Sequence, residues 1–317
     1  MNKLKINIIH YTDVFNSCNI TPNYSHIEEY LNGGRQDILE NFDIFTENVR
    51  SKNAKFKNFD SFEISNEITV DTVIVVGFYL ELLEFWNQRN KIRDVINFYC
   101  KKYPNNKVVV TWNHDIDAYH IFTFINEFPN LYVLNFNTSI NHDRFILLPF
   151  WTIDDELYVT NKKFLANLVC SFNNHLRWSL KETLSSMDDI FISSKIPYDE
   201  YKEKLSSSMF TLCPRGLGLS SYRFFECFHL NTIPVLFADH VILPYQNTLN
   251  YNEFIIRIEE SKSNDKNYII DTLNRVDYKK MLSTINEVRE YYTLKGVQQE
   301  INTRLSYDTS NNNTPRI

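Results

Sequence analysis

The stretch that decides the fold is residues 210–245, FTLCPRGLGLSSYRFFECFHLNTIPVLFADHVILPY. An apolar run ends at Pro214, a turn with an arginine and two glycines follows, and an aromatic-rich segment leads to a second apolar run at 232–237. The chain has only 6 glycines in 317 residues, so placing Gly216 and Gly218 in one turn indicates an unusual backbone there. The order of strand, turn, helix and strand predicts a parallel α/β unit.

The same alternation of apolar and amphipathic segments extends along the chain on both sides. Apolar runs predict eight buried strands, which begin near residues 5, 72, 107, 130, 166, 189, 209 and 232. Amphipathic segments predict helices between them, including a long helix over 81–103 and helical structure over 268–305. Apolar strands separated by helices predict parallel sheets that are covered on both faces.

A segment without clear periodicity begins at Ile146 and contains a proline, which predicts a connection between two units. We therefore expect an α/β protein with two Rossmann-like domains that face each other across a cleft. Residues 1–150 form the expected N-terminal domain and residues 151–305 the expected C-terminal domain. The polar tail at 306–317 is expected to be disordered.

The composition excludes several classes of protein. A net charge of −6 without a long basic block argues against a nucleic-acid interface. The five cysteines are scattered, so we expect buried thiols in a reducing compartment and neither a disulfide framework nor a zinc site. No apolar run approaches the roughly 20 residues of a membrane span, and the N-terminus does not resemble a signal peptide. These features predict a cytoplasmic protein.

The turn after the strand has the residue types of an anion site. Ligands of open α/β sheets bind beyond the carboxyl ends of the strands, so Arg215, the two glycines, Ser220, Ser221 and Arg223 are expected to line a ligand site. Free N–H groups at a helix start and two arginines suit phosphate oxygens. Glu226 follows Arg223 by one helical turn and could accept hydrogen bonds from ribose hydroxyls. The set predicts a nucleotide-diphosphate site.

A plainer interpretation is a capped surface helix. Ser220 would be its N-cap, and Arg223 and Glu226 would form a surface ion pair. The turn lacks both the Gly-Lys-Ser/Thr of a Walker motif and the third glycine of a dinucleotide fingerprint. The residues alone leave both interpretations open.

The stretch resembles the C-terminal signature of the exostosin-like glycosyltransferases, glycosyltransferase family 47. The resemblance lies in the Cys-Pro strand end, the turn with arginine and glycine, SYRFFE at 221–226, IPV at 233–235 and LP at 243–244. Upstream, LVCSFNNHLRWSLKETL at 168–184 is similar to the family's strand, turn, arginine and helix. This similarity implies that Arg177 lies near the donor phosphates.

The resemblance implies a GT-B fold and an inverting transfer of a sugar to a hydroxyl. The C-terminal domain would hold a nucleotide-sugar, usually a UDP-sugar, and the N-terminal domain an acceptor glycan. The expected donor-binding residues are Arg177, Arg215, Gly216, Gly218, Ser220, Ser221, Arg223 and Glu226. Without an evident membrane anchor, the chain resembles the compact versions of the family found in viruses or bacteria. A non-catalytic module that binds a nucleotide-sugar or a glycan is an alternative.

Inverting transfer needs a base that takes the proton of the acceptor hydroxyl. His114 and Asp115 follow an apolar strand at its carboxyl end, in a segment that weakly resembles the family's His-Asp segment, and are the expected catalytic residues. Asp115 is equally suited to cap the next helix. His10 and Asp13, which follow the first strand, are further candidates.

Asp115-Ile116-Asp117 also forms a D-x-D pattern, with which GT-A glycosyltransferases bind a divalent metal and the donor diphosphate. His114 and His120 could add metal ligands, although no third ligand is evident. A three-residue match is weakly specific, and arginines can neutralise a diphosphate without metal. We therefore expect no cofactor and no resident metal, with a metal-dependent glycosyltransferase as the alternative.

Overall fold

The structure is a computed structural model that describes residues 3–22, 62–80, 83, 87–112, 119–136, 139–150, 157–216 and 218–306. A first sheet contains β1 (Leu4–Ile9), β2 (Phe62–Ile64), β3 (Val73–Tyr79), β4 (Val108–Trp112), β5 (Leu131–Asn135) and β6 (Phe145–Leu147). A second sheet contains β7 (Phe164–Val169), β8 (Ile190–Ser193), β9 (Ser208–Pro214), β10 (Ile233–Phe237) and β11 (Ile256–Arg257).

Helices precede, separate and follow these strands. In the first unit they are α1 (Tyr11–Cys18), α2 (Asn90–Lys102) and α3 (Tyr119–Ile125). In the second unit they are α4 (His175–Leu184), α5 (Tyr198–Ser206) and α6 (Tyr222–Glu226), followed by α7 (Lys266–Arg275), α8 (Tyr278–Val288) and α9 (Leu294–Ser306). No helix among the described residues is both long enough and apolar enough to span a membrane.

Both sheets are parallel throughout and share one strand order. The first sheet has the order β2-β1-β3-β4-β5-β6, and the second has β8-β7-β9-β10-β11. The order reverses between β1 and β3 in one unit and between β7 and β9 in the other. Doubly wound sheets bind ligands at this reversal, beyond the carboxyl ends of the strands. The loops that follow β7 and β9 are therefore the expected ligand site of the second unit.

The eight strands predicted from apolar runs are confirmed, and the central ones are buried along their length. Every residue of β4, β5 and β10 is buried, as expected for strands covered by helices on both faces. Three strands were not predicted: β2, β6 and β11. Each has only two or three residues and lies at the edge of its sheet, so it is too short to show a period.

Two helices differ from the prediction. The helix expected over 81–103 is interrupted: Leu83 is helical, Asn87 has a left-handed backbone with φ 56°, and α2 begins at Asn90. The helix expected after the Arg-Gly turn ends at Glu226 after five residues, and turns then lead to Asn231, which has φ 53°. The helical segment predicted over 268–305 is present as α7, α8 and α9. Residues 307–317 of the predicted tail lie outside the described residues.

An aromatic stack connects the two units. The ring of Phe150, which follows the last strand of the first sheet, lies 5.8 Å from that of Phe136 in the same unit. It also lies 4.4 Å from the ring of Tyr222 and 5.5 Å from that of Phe225, both on α6. The linker therefore packs directly on the helix that follows the Arg-Gly turn. The boundary between the domains at 150/151 stays a prediction.

The last helix, α9, returns to the first unit. Lys107 Nζ, just before β4, donates to the carbonyl oxygen of Leu305 at 2.6 Å. Arg304 Nη2 donates to the carbonyl oxygen of Asp143 at 2.5 Å, and α9 also contacts β1. The last described helix thus packs on the unit that contains β1.

Candidate functional site

The loops that follow β7 and β9 are joined by the side chain of Asn174. Its Oδ1 accepts a hydrogen bond from the backbone N–H of Arg177 at 3.0 Å, which caps α4. Its Nδ2 donates to the carbonyl oxygens of Arg215 and Gly216, both at 3.2 Å. One side chain therefore fixes the start of α4 against the Arg-Gly turn at the point where the strand order reverses.

The guanidinium of Arg177 is held in a single orientation. The residue is only 9% exposed, its Nε donates to the carbonyl oxygen of Arg215 at 3.1 Å, and its Nη1 donates to the carbonyl oxygen of Ser171 at 3.0 Å. Nη1 also donates to Asn173 Oδ1 at 3.2 Å. A Cβ on Gly216 would lie 3.1 Å from Nη2, so the glycine leaves room for the guanidinium.

A second guanidinium, that of Arg223 on α6, lies close to this one. Burial and the positive charge of Arg223 together lower the pKa of Arg177, which places the two cations within electrostatic reach. The half-buried Arg223 donates from Nη1 to Ser221 Oγ at 3.4 Å. Its Nε is buried and has no hydrogen-bond partner among the described residues. Two neighbouring arginines with a buried N–H still to be satisfied are suited to bind an anion.

The turn between β9 and α6 offers a further polar atom. Ser220 is buried, and its Oγ has no hydrogen-bond partner in the described part of the chain. The carbonyl oxygen of Ser220 accepts from the N–H of Gly216 at 3.4 Å, which closes the turn around the half-buried Gly218. Buried polar atoms without partners are rare in proteins, so the Ser220 hydroxyl is expected to bind a polar ligand.

The capping prediction for this turn is wrong. The N-cap position of α6 is Ser221, not Ser220, and the Ser221 side chain makes no capping hydrogen bond. With five residues, α6 has a smaller dipole than the longer helix predicted here. The positive character of this edge therefore comes from the arginines more than from the helix start.

Arg215 has a carboxylate partner of its own. Its Nε donates to Glu260 Oε1 at 2.7 Å, and this hydrogen bond raises the pKa of Arg215. Glu260 in turn is fixed by its backbone N–H, which donates to Asp239 Oδ1 at 2.9 Å. The observed role of Arg215 is to hold Arg177 and Asn174 through its carbonyl oxygen. Its direct contact with a phosphate stays a prediction.

The side chain of Glu226 is fully buried. Its Oε2 accepts a hydrogen bond from the hydroxyl of Tyr201, which lies on α5. The interpretation of Arg223 and Glu226 as a surface ion pair is therefore wrong. The buried carboxylate also presents no surface to a ribose in this structure. Tyr201 was missed by sequence reasoning because it belongs to a different helix and to no motif.

Three buried cysteines lie near the two arginines. Cys170 follows β7, and the Sγ atoms of Cys213 in β9 and Cys227 after α6 are 3.9 Å apart. Burial raises the pKa of Cys170, although the charges of Arg223 and Arg177 oppose this shift. All five cysteines of the chain are buried and free, as the sequence predicted.

The expected catalytic residues cannot be placed. His114, Asp115 and Asp117 lie outside the described residues, and so does the D-x-D pattern that they include. Among the described residues, no group of three or more His, Cys, Asp or Glu side chains is arranged to hold a metal ion. The base and the metal alternative both stay predictions.

The other two candidates follow β1, at the reversal of strand order in the first unit. His10 is exposed and caps α1, where its Nδ1 lies 2.7 Å from Thr12 Oγ1, and Asp13 is exposed in the first turn of that helix. A Cβ on Gly77 in β3 would lie 2.5 Å from the carbonyl oxygen of Ile9, so only glycine allows β1 and β3 to approach this closely. His10 thus lies at the ligand-binding edge expected for this sheet.

Comparison with known families matches residues 65–273 to the exostosin GT47 domain. The exostosin-1 homolog of Caenorhabditis elegans is 30% identical over 131 residues, which cover 41% of this chain and 32% of that protein. A probable glycosyltransferase of Arabidopsis thaliana is 22% identical over 233 residues, which cover 64% of this chain and 43% of that protein. The matches thus span less than half the length of these curated relatives.

Solved structures show a distant likeness in overall architecture. A pneumococcal O-GlcNAc transferase in complex with UDP and GlcNAc gives a TM-score of 0.43 at 11% identity, over 75% of this chain and 57% of that chain. A DNA-modifying β-glucosyltransferase gives a TM-score of 0.40 at 14% identity, over 96% of this chain and 100% of that chain.

The family match extends from just before β3 into α7 and covers more than half of the chain. It includes both loops that build the arginine site. Two doubly wound parallel units joined in this way form an α/β fold of the GT-B type. The chain therefore belongs to the exostosin GT47 family.

Proposed function

We propose that this chain is a glycosyltransferase that moves a sugar from a UDP-sugar to a hydroxyl of an acceptor glycan with inversion. The observation that carries the proposal is the pair of Arg177 and Arg223, which the reversal of strand order brings together. The buried Arg223 Nε and Ser220 Oγ add two polar atoms that a phosphate could satisfy. The family and the names of its relatives support this activity.

The arginines would act on the leaving group. As the bond between the sugar C1 and the phosphate oxygen breaks, negative charge grows on the departing diphosphate. Arg177 is already fixed by three hydrogen bonds to protein oxygens, so it needs no reorganisation to stabilise that charge. Arg223 would supply the second cation from α6.

A base in the first unit would take the proton of the acceptor hydroxyl. The acceptor oxygen would then form its bond to C1 on the face opposite the departing diphosphate, which inverts the configuration. We assign the base to Asp115 with His114 beside it, and keep His10 and Asp13 as candidates because they follow β1 at the ligand-binding edge. The products would be the glycosylated acceptor and UDP.

A nucleotide screen followed by a turnover assay tests the proposal. UDP should raise the melting temperature more than GDP or TDP, because binding to the native state alone stabilises it. Arg223→Ala should abolish that shift, whereas the control Arg275→Ala should keep it. Arg275 lies on α7, where its side chain is 80% exposed and pairs with Asp271 at 3.5 Å.

Three results are informative. UDP release that depends on a UDP-sugar supports the enzyme. Binding of UDP without turnover of any donor, with or without glycan acceptors, would favour the alternative of a nucleotide-sugar binding module. The absence of any nucleotide-dependent shift would contradict the donor site itself.

A further inference from the structure

A hydrogen bond between Tyr201 and Glu226 joins α5 to α6 beneath the arginine site. The ring of Tyr201 is buried in a small apolar cluster with Val169, Leu205 and Leu230, which fixes where its hydroxyl points. The hydroxyl donates to the fully buried carboxylate of Glu226. Two buried polar side chains from different helices are thus held in a defined geometry.

The carboxylate lies on the same helix as Arg223, three residues later. Side chains with this spacing are neighbours on a helix, so Glu226 is placed to interact with the guanidinium. Burial opposes the charged form of Arg223, but Tyr201, nearby cysteines and Glu226 act against it and raise the pKa of Arg223. Glu226 therefore offsets part of the cost of burying the positive charge of Arg223.

The balance of charge leaves room for an anion. Arg177 and Arg223 bring two positive charges to the site, and Glu226 brings one negative charge. The carboxylate has no exposed surface, so it can compensate a guanidinium but cannot contact a ligand without a rearrangement. No hydrogen bond joins the two side chains among the described residues, so the carboxylate acts on the guanidinium through its charge and leaves the N–H groups of Arg223 for the ligand.

We infer that Tyr201 and Glu226 are positioning residues: the tyrosine hydroxyl fixes the carboxylate, and the carboxylate orients Arg223 toward the donor diphosphate. The inference rests on the proposed function. It replaces the ribose contact that the sequence pattern assigned to Glu226, and it adds Tyr201, which no motif contains.

Two substitutions separate these roles with little change in shape. Tyr201→Phe removes the hydroxyl and keeps the ring that packs in the apolar cluster. Glu226→Gln keeps an acceptor for Tyr201 but removes the charge. Tyr198→Phe is the matched control, because Tyr198 lies on the same helix and its ring stacks 6.1 Å from that of Tyr201.

Four probes divide the donor into parts: UDP, 2′-deoxy-UDP, inorganic pyrophosphate and uridine. We expect both site variants to weaken UDP and pyrophosphate in parallel, by about tenfold or more, which is the scale of one hydrogen bond to a charged group. Each variant should lose as much affinity for 2′-deoxy-UDP as for UDP. Equal losses mean that the substitution and the removal of the 2′-hydroxyl act independently, as expected when the side chain does not contact that hydroxyl. Uridine binding should not change, and Tyr198→Phe should match wild type throughout.

Each contrary result has a distinct meaning. A loss for UDP that vanishes with 2′-deoxy-UDP and spares pyrophosphate would make Glu226 a ribose ligand and overturn the inference. Wild-type affinities in both variants, or a parallel loss of uridine binding and melting temperature, would also overturn it. A wild-type protein that binds none of the four probes would contradict the proposed donor site, and the positioning role with it.

Discussion

Arg177 Nε donates a hydrogen bond to the carbonyl oxygen of Arg215 at 3.1 Å. This bond ties the loop after β7 to the loop after β9, at the point where the strand order of the second sheet reverses. The planar guanidinium also reaches Ser171 and Asn173 through Nη1. A lysine has a single ammonium nitrogen and cannot donate from two fixed nitrogens in one plane. Arg177 therefore stabilises the two loops through its hydrogen bonds and also brings a positive charge to the site.

Arg177→Lys should therefore lower both stability and nucleotide affinity. We expect a loss of about 1–3 kcal/mol in unfolding free energy, because the carbonyl oxygens of Ser171 and Arg215 lose a charged donor, and a loss of about tenfold in UDP affinity. Denaturant titration and calorimetry measure the two effects.

The first unit contains a matched control. Arg144 donates to the carbonyl oxygens of Ile125 and Phe128, both at 2.6 Å, and of Leu131 at 3.4 Å. Arg144→Lys should cost similar stability and leave UDP affinity unchanged. Equal UDP affinities in the two variants would show that Arg177 does not serve the site.

Gly216→Ala should impair the site more than the fold. The added methyl would lie 3.1 Å from Arg177 Nη2, so the guanidinium must shift by a few tenths of an ångström. Small displacements of positioning groups can cost about 10² in rate, so kcat/KM should fall at least about tenfold while the melting temperature changes little. Wild-type kinetics in a folded Gly216→Ala protein would be incompatible with the assigned position of Arg177.

Much of this architecture could be predicted from sequence because parallel strands buried on both faces are continuous apolar runs, such as VVVTW at 108–112. The edge strand Ile256–Arg257 could not, since two residues show no period. The proximity of Arg177 to the Arg-Gly turn could be predicted, because ligands of open α/β sheets bind beyond the carboxyl ends of the strands and because the family resemblance includes both segments. The partners Tyr201, Asn174 and Glu260 were not, because long-range contacts between loops and helices leave no local pattern.

Turnover should survive EDTA. The guanidinium groups of Arg177 and Arg223 can neutralise the diphosphate without a metal ion, so chelation should change kcat by less than about twofold.

Asp115→Asn should abolish sugar transfer and leave UDP affinity unchanged, because a base contacts the acceptor and not the nucleotide. Complete loss of turnover with EDTA, rescue by Mn²⁺ and weakened UDP binding in Asp117→Asn would instead establish the D-x-D pattern as a metal site.

Lys162 should make stability depend on pH. Its Nζ donates to the carbonyl oxygens of Ser206, Ser208 and Asn231 at 2.7, 3.0 and 2.5 Å, at the amino ends of β9 and β10. Burial lowers the pKa of Lys162 to about 8. Since an unfolded lysine titrates near pH ~10.4, the unfolded chain binds more protons between these values, and the unfolding free energy rises with pH there.

Denaturant titrations of wild type and Lys162→Met isolate this effect. The difference between the two unfolding free energies should increase across that pH window by at most about 1.4 kcal/mol per pH unit. The neighbour Lys163 is 61% exposed and pairs with Glu203 at 3.4 Å, so Lys163→Met should show no such dependence. A difference that stays constant with pH would refute the assignment.

The return of α9 to the first unit makes the second unit an insertion. The first sheet ends with β6, the second sheet follows in the sequence, and α9 contacts the first unit again at Lys107, Asp143 and β1. The first unit is therefore discontinuous in sequence, and a truncation before Leu294 would damage the part of the molecule that contains the N-terminus. A minimal fragment for donor binding should accordingly be excised at both ends, as residues 157–293, and not by a single cut.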